Sequence, residues 1–186
     1  MTWIQTWSGV ALDLLDPKPT DIHAEDIAAA LSKINRFTGH TSSPYSVASH
    51  SLLVMHYARP EHRLQALLHD AAEYAVGDVS TPLKAMVPQF RKIEDRVHAA
   101  ICARFDLPPK IPDEVKAIDL ALLWHEAAVL LGDPPKPWGA FKSGKIMGLP
   151  NASRYVAASA GADPQDVMAS FLEALSDELT RRSRLN

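Results

Sequence analysis

Cysteine is nearly absent from this sequence, since Cys102 is the only one among 186 residues. A single thiol cannot form an internal disulfide, and no cysteine pair is present that could build a zinc knuckle. Cys102 lies in the apolar stretch "VHAAICARF", where the sequence predicts a small buried side chain rather than a reactive one. A disulfide-stabilised secreted domain is therefore excluded, and a reduced, cytoplasmic setting is expected.

Long apolar runs and an excess of one charge are also missing. No stretch approaches the roughly 18 uninterrupted apolar residues of a membrane-spanning helix. The first 21 residues lack the basic and apolar regions of a signal peptide. The formal net charge is -3, and the basic residues form no long run. We therefore expect no membrane partner and no nucleic-acid polymer bound through a broad cationic surface.

Apolar residues instead recur at helical spacing along most of the chain. The apolar fraction of 47% and the charged fraction of 22% are typical of a globular domain. Helices are predicted at 22–37, 45–58, 62–76, 89–105, 113–131 and 164–182. The sequence thus predicts an all-α helical bundle, with a small β-hairpin or an extended arm within residues 3–16. One domain is expected over 1–186, with its core at about 22–132 and an irregular segment plus a C-terminal helix at 133–186.

Three of these apolar helices carry polar residues that a core normally avoids. "LLHDAAEY" contains His69, Asp70 and Glu73, "SVASHSLLV" contains His50, and "AIDLALL" contains Asp119. Burying charge without a partner costs several kcal/mol or more. Imidazole nitrogens and carboxylate oxygens are ligands for divalent metals, so a shared metal ion would resolve all three cases. Taken one at a time, a hydrogen-bonded core histidine and a capping aspartate are the simpler interpretations.

The same stretches resemble a known family. "SVASHSLLV", "ALLHDAAEYAVGDVSTPLK" and "AIDLALL" are similar to the histidine–aspartate (HD) domain phosphohydrolases. The central stretch most resembles the subgroup that contains the bacterial 5'-deoxynucleotidases. The dipeptide "HD" alone would be weak support, but the ordered pattern H…HDxxE…GDxxTPxK…D is specific. The resemblance covers roughly residues 30 to 132 and implies an HD-domain helical bundle.

The resemblance implies a metal centre and a catalytic acid. His50, His69, Asp70 and Asp119 match the metal ligands of the family, around one divalent ion. Such a mixed nitrogen and oxygen set does not fix the metal, and Mn, Co, Zn, Fe and Mg are all compatible. Glu73 matches the acidic residue that handles the attacking water. Its alternative role is a hydrogen-bond partner that orients His69.

The resemblance also implies substrate contacts. Asp78 matches a residue that contacts the deoxyribose 3'-hydroxyl, although a turn residue after the preceding glycine is an alternative. Arg36 and Phe37 resemble an arginine–aromatic pair that holds the phosphate and stacks on the base. The alternative for this pair is a surface arginine and a core phenylalanine. Thr81 and Lys84 belong to the same loop as Asp78, with a helix cap and a surface lysine as their alternatives.

The implied activity is removal of phosphate from a 2'-deoxynucleoside 5'-monophosphate, by a protein that forms a homodimer. A deoxynucleoside triphosphate triphosphohydrolase would use the same ligands with more positive charge, which Lys84, Lys92, Lys142 and Lys145 could supply. A guanosine tetraphosphate hydrolase is a further option with the same ligands. A non-catalytic nucleotide-sensing module is the alternative outside enzymes. The loop around Trp138 could form a lid, with an irregular surface loop as its alternative.

Overall fold

The chain is mostly helical, with a two-stranded antiparallel sheet near its N-terminus, in a computed structural model that describes residues 1–136 and 147–184. The strands are β1 (Trp3–Gln5) and β2 (Ala11–Asp13). The helices are α1 (Ala24–Leu31), α2 (Val47–Tyr57), α3 (Arg63–Leu67), α4 (Glu73–Val76), α5 (Thr81–Met86), α6 (Pro88–Arg104), α7 (Asp113–Leu130), α8 (Ala152–Ser159) and α9 (Pro164–Ser183). Short 3-10 helices span Pro19–Asp21, Arg36–Gly39 and Pro60–His62. Trp138, Lys142 and Lys145 lie outside the described residues.

The N-terminal residues form the predicted β-hairpin, which is hydrogen-bonded to α1. Trp3 pairs with Asp13 and Gln5 with Ala11 across the two strands. The backbone N–H and the hydroxyl of Ser8 both donate to the buried carboxylate of Asp26 on α1, at 2.6 and 2.8 Å. These bonds satisfy a carboxylate that would otherwise be buried without partners. The prediction of a small hairpin is therefore confirmed.

The long helices begin where proline and capping side chains occur. The Asp163 side chain accepts from the backbone N–H of Gln165 at 2.7 Å, directly before α9. The Ser46 hydroxyl accepts from the backbone N–H of Ser49 at 3.1 Å, so α2 begins just after Ser46 rather than at the predicted residue 45. Such caps satisfy the N–H groups that have no partner inside a helix. The predicted helices around His50 and Asp119 are confirmed.

The predicted continuous helix at 62–76 is wrong. It is broken into α3 and α4 by a run of turns at residues 68–72. Backbone N–H groups there bond three residues back rather than four, from Ala71 to Leu68, Glu73 to Asp70, Tyr74 to Ala71 and Ala75 to Ala72. On a regular α-helix adjacent side chains diverge by about 100°. The tighter winding lets the adjacent side chains of His69 and Asp70 both face the same cluster.

Helix α1 ends at Leu31, six residues earlier than the predicted end at residue 37. The residues after α1 instead pair with the residues before α2 in an extended, antiparallel bridge. The Arg36 N–H donates to the Tyr45 carbonyl, and the Val47 N–H donates to the Ile34 carbonyl. The Asn35 side chain also accepts from the backbone N–H of Tyr45 at 3.1 Å. This pairing places Arg36 beside the start of α2.

Helix α8 was not predicted. It lies within 133–162, a stretch rich in glycine, proline and serine without convincing periodicity. Only Ala152 and Val156 of this helix are buried, so its apolar face is too narrow to give a clear pattern. Its packing is against α7 and α2, and that tertiary contact rather than local propensity supports it.

Two apolar clusters meet along α2. One includes Val47 and Ala48 in its first turn, and the other includes Val54 further along the same helix. His50 lies between them and is fully buried. The core therefore fixes the position of this histidine from both sides. None of the described helices combines the length and the apolarity needed to cross a membrane.

Candidate metal centre

Four potential metal ligands converge where α2, the turns between α3 and α4, and α7 meet. His50, His69, Asp70 and Asp119 each offer one ligand atom, and these atoms all lie within 4.8 Å of one another. His50 Nε2 is 3.3 Å from His69 Nε2 and 3.2 Å from Asp119 Oδ1. His69 Nε2 is 3.2 Å from Asp70 Oδ2. The fold thus brings together all four residues of the predicted ligand set.

The orientation of the two imidazole rings fits a bound cation. His50 Nδ1 donates to Glu126 Oε1 at 2.6 Å, and His69 Nδ1 donates to the Ala66 carbonyl at 2.7 Å. With each Nδ1 acting as the donor, each neutral ring carries a lone pair on Nε2. Two such lone pairs facing each other at 3.3 Å need a positive charge between them. Metal-binding histidines are typically oriented in this way by a carboxylate or a carbonyl.

The cluster is anchored in the core on one side and open on the other. His50 and His69 are buried, whereas the side chains of Asp70 and Asp119 are 25% and 39% exposed. Ligands on rigid buried elements hold their geometry, and an open side admits solvent and a substrate. The group can therefore hold a metal ion, with the carboxylates at its mouth.

The charges within the cluster depend on one another. Burial works against the charged form of His69, but the Asp70 carboxylate outweighs it and raises the pKa of His69 to about 9. Burial likewise opposes ionisation of Asp70, and the imidazole of His69 outweighs it, so the pKa of Asp70 lies well below its usual range. Protons therefore supply the positive charge in the metal-free protein, and a divalent ion would displace them.

Glu126 is the functional residue that sequence reasoning missed. Its carboxylate is fully buried on α7, where it accepts from His50 Nδ1 at 2.6 Å and from Arg36 Nε at 2.9 Å. Burial favours its neutral form, but Arg36 and His50 outweigh burial and lower the pKa of Glu126 to about 2. It lies seven residues after Asp119, hence two turns along the same face, in an apolar run. That spacing is the sequence feature that could have identified Glu126. The neighbouring His125 instead bonds to the Ser153 hydroxyl.

Arg36 is buried beside the cluster rather than exposed on the surface. Its Nε donates to Glu126, and its Nη1 lies 3.6 Å from Asp70 Oδ2. Burial lowers the pKa of Arg36, but the carboxylates of Glu126 and Asp70 outweigh it and raise the pKa above its usual value. A charged guanidinium thus borders the four-residue group, at the residue for which the family resemblance implies a phosphate contact.

Phe37 and Thr38 have an unusual backbone conformation next to this arginine. Both have positive φ angles, 54° and 55°, although neither is glycine. Such residues cost about 1–3 kcal/mol each and tend to occur at functional sites. The Phe37 ring packs against the small apolar cluster of Tyr45, Leu130 and Val156. The turn therefore holds the side chains of Arg36 and Phe37 next to each other.

Glu73 lies one turn after the adjacent His69 and Asp70, the dyad, and is only 4% exposed. Its Oε1 is 3.4 Å from Lys84 Nζ, and its buried Oε2 has no hydrogen-bond partner among the described residues. Burial, followed by the nearby Asp70 and Asp78 carboxylates, raises the pKa of Glu73 to about 9. A nearby divalent cation would lower that pKa again. The alternative role of Glu73, orienting His69, is filled by the Ala66 carbonyl, and the Glu73 carboxylate instead faces Lys84.

The predicted substrate residues after α4 are placed unequally. Asp78 is partly buried, and burial raises its pKa, while the charges of Arg36, Asp70 and Lys84 all act on it. Thr81 is exposed and forms the first residue of α5 rather than its cap. Lys84 is not an ordinary surface lysine, since its ammonium contacts both Glu73 and Glu94. Asp78 and Lys84 thus border the cluster, whereas Thr81 faces solvent.

Comparisons with known proteins give relatives without an assigned activity. No family model matches the chain. An uncharacterized protein of Rhodobacter capsulatus is 46% identical over 124 residues, which is 61% of this chain and 63% of that protein. The uncharacterized protein YfdR of Escherichia coli is 37% identical over 138 residues, which is 74% of this chain and 78% of YfdR. The match therefore spans slightly less than two thirds of the first relative and more than two thirds of the second.

Proposed function

The chain belongs to the family of the Escherichia coli protein YfdR, and for this member we propose a metal-dependent HD-domain phosphohydrolase. The proposed reaction is hydrolysis of a 2'-deoxynucleoside 5'-monophosphate to a deoxynucleoside and orthophosphate. The observation that carries the proposal is the convergence of His50, His69, Asp70 and Asp119 within 4.8 Å. The ordered motif H…HDxxE…GDxxTPxK…D supports the same function, as does a buried acid one turn from the dyad.

The proposed metal ligands are these four side chains, and Glu126 and the Ala66 carbonyl hold the two imidazole rings in place. When bound, a divalent ion polarises a phosphoryl oxygen and lowers the pKa of water. The chain's own residues provide the rest of the chemistry. Nitrogen and oxygen ligands in equal number are compatible with Mn, Co, Zn, Fe or Mg.

Glu73 is the proposed general base. It takes a proton from the attacking water as the water oxygen bonds to phosphorus. The bond from phosphorus to the 5'-oxygen then breaks, and that oxygen takes a proton from solvent to become the 5'-hydroxyl of the deoxynucleoside. A general base contributes most when its pKa lies near the operating pH. The neighbouring Lys84 ammonium and the Asp70 and Asp78 carboxylates act on that pKa in opposite directions.

Arg36 and Asp78 are the proposed substrate contacts. Arg36 borders the group with Nη1 3.6 Å from Asp70, so a phosphate bridging the cluster would meet its guanidinium. Planar guanidinium groups bind phosphate oxygens through paired N–H donors. Asp78, partly buried nearby, would accept a hydrogen bond from the sugar 3'-hydroxyl. Phe37, held next to Arg36, is the proposed base-stacking residue.

Phosphate release from the purified full chain tests this function. The protein is stripped of metal with a chelator and reloaded with Mn, Co, Zn, Fe or Mg. The substrates are deoxynucleoside mono- and triphosphates together with their ribose counterparts. We expect metal-dependent release of orthophosphate from the deoxynucleoside monophosphates and none without metal.

Two other outcomes would revise the proposal. Release of inorganic triphosphate from deoxynucleoside triphosphates would identify a triphosphohydrolase that uses the same metal group. Nucleotide binding without turnover, with every metal, would contradict the enzymatic proposal and identify a sensing module.

A further inference from the structure

Lys84 is held between two carboxylates on different helices. Its Nζ lies 2.6 Å from Glu94 Oε1 on α6 and 3.4 Å from Glu73 Oε1 on α4. The side chain is only 18% exposed, and the ammonium also lies 5.7 Å from the centre of the Phe90 ring. Two carboxylates and an aromatic face therefore enclose one cation.

The two ion pairs are unequal. A separation of 2.6 Å is a short charge-assisted hydrogen bond, whereas 3.4 Å is at the weak end of the range. Glu94 therefore forms the stronger of the two pairs, and Glu73 is only loosely paired. The buried Oε2 of Glu73 has no partner among the described residues, so nothing else in this part of the chain ties that oxygen down.

A loose pair has a consequence for Glu73. An ammonium at full hydrogen-bonding distance would donate a charge-assisted hydrogen bond to Oε1 and compete with the attacking water for that oxygen. An oxygen occupied in this way is a poor proton acceptor. A second anion that draws the ammonium away would leave the carboxylate available.

We infer that Glu94 is a positioning residue, which keeps the Lys84 ammonium at a distance from Glu73. This inference rests on the proposed function, in which Glu73 accepts the proton of the attacking water. Glu94 lies in a stretch of alternating charges, "RKIEDR", a pattern typical of a solvated helix face. Its contact with Lys84 is visible only in the fold.

The kinetic test uses the metal-loaded full chain with Glu94→Gln, Lys84→Met and the double variant. In Glu94→Gln the ammonium moves to Glu73, so we expect kcat to fall about tenfold with KM and metal affinity unchanged. Adding Lys84→Met to Glu94→Gln removes that ammonium and should restore most of the lost kcat. Asp95→Asn is the matched control, because Asp95 is an exposed carboxylate on the same helix and should leave kcat unchanged.

Full kcat in Glu94→Gln, or a double variant no faster than Glu94→Gln, would overturn the inference. A raised KM or a weakened metal affinity in Glu94→Gln would also overturn it, because a positioning role predicts a change in kcat alone. If the unmodified chain releases no phosphate with any metal, the proposed function fails, and a second measurement still decides where the ammonium goes.

The second measurement is the rate at which Lys84 reacts with an amine-labelling reagent, followed by mass spectrometry. Glu94→Gln and Glu73→Gln should each leave Lys84 protected, because the remaining carboxylate binds the ammonium. Combining Glu73→Gln with Glu94→Gln removes both carboxylates and should raise the labelling rate about tenfold or more. If Glu94→Gln alone labels as fast as this combination, Glu73 does not capture the ammonium and the inference is wrong.

Discussion

Replacing Glu73 by glutamine is expected to lower kcat for phosphate release by roughly 10²–10⁴-fold, the contribution of a positioned general base. Glutamine has the size of glutamate and retains an oxygen for Lys84, which lies 3.4 Å from Oε1. It cannot accept a proton from water. Because Glu73 is not one of the four converging residues, the affinity for the metal should change little. The measurement is kcat and KM with a deoxynucleoside monophosphate, beside a metal titration of the same preparation.

Glu114→Gln is the control for the loss of a paired carboxylate. Glu114 is on α7 and is 19% exposed, and it pairs with Arg59 and His62 rather than with the cluster. We expect this variant to keep the activity of the unmodified chain. Activity in Glu73→Gln within tenfold of the unmodified chain would show that another group takes the proton. A parallel loss of metal affinity would instead show that Glu73 acts as a ligand.

Replacing Glu126 by alanine should give the largest loss of stability. The change leaves the Arg36 guanidinium and the His50 Nδ1–H buried without their shared acceptor. Breaking a buried pair by removing one partner costs about 3–5 kcal/mol. For a chain of this length that corresponds to a Tm lower by roughly 6–20 °C. Loss of the group that orients His50 should also weaken metal binding by about 10–100-fold.

Glu178→Ala separates the two effects of Glu126→Ala. Glu178 is also a buried helical glutamate, and it pairs with Arg181 and Arg63 on α9 and α3. Its loss should lower Tm as well but leave the metal affinity unchanged. Thermal unfolding followed by circular dichroism, and calorimetric metal titration, give the two quantities. An unchanged metal affinity in Glu126→Ala would mean that His50 is oriented without its carboxylate partner.

The ligand set could be predicted because each residue violates a local pattern. His50 and Asp119 interrupt apolar helices that are otherwise continuous, and the dyad interrupts a third. The three interruptions have one physical explanation, a shared cation, so the sequence brings together residues that are 69 positions apart. The helices that carry His50 and Asp119 were predicted for the same reason, since their apolar faces are long and regular.

The contacts around the ligands could not be predicted in the same way. The partners Glu126–Arg36 and Lys84–Glu94 depend on which faces of separate helices meet, and local periodicity does not contain that information. The break at 68–72 was missed because an apolar run with helix-forming alanines favours one helix. Tertiary constraints on His69 and Asp70 override that preference. Sequence patterns thus located the group, and packing determined how its rings and charges are held.

Metal titration of the chelator-treated full chain tests the central claim most directly. The account predicts one Mn²⁺ or Co²⁺ ion per chain, with the affinity weakened about 100-fold or more in His69→Ala and in Asp119→Asn. Both variants remove one member of the group whose ligand atoms lie within 4.8 Å. Saturable binding of one ion with these losses would establish the centre. Absence of saturable binding, or an equal affinity in the unmodified chain and both variants, would contradict it.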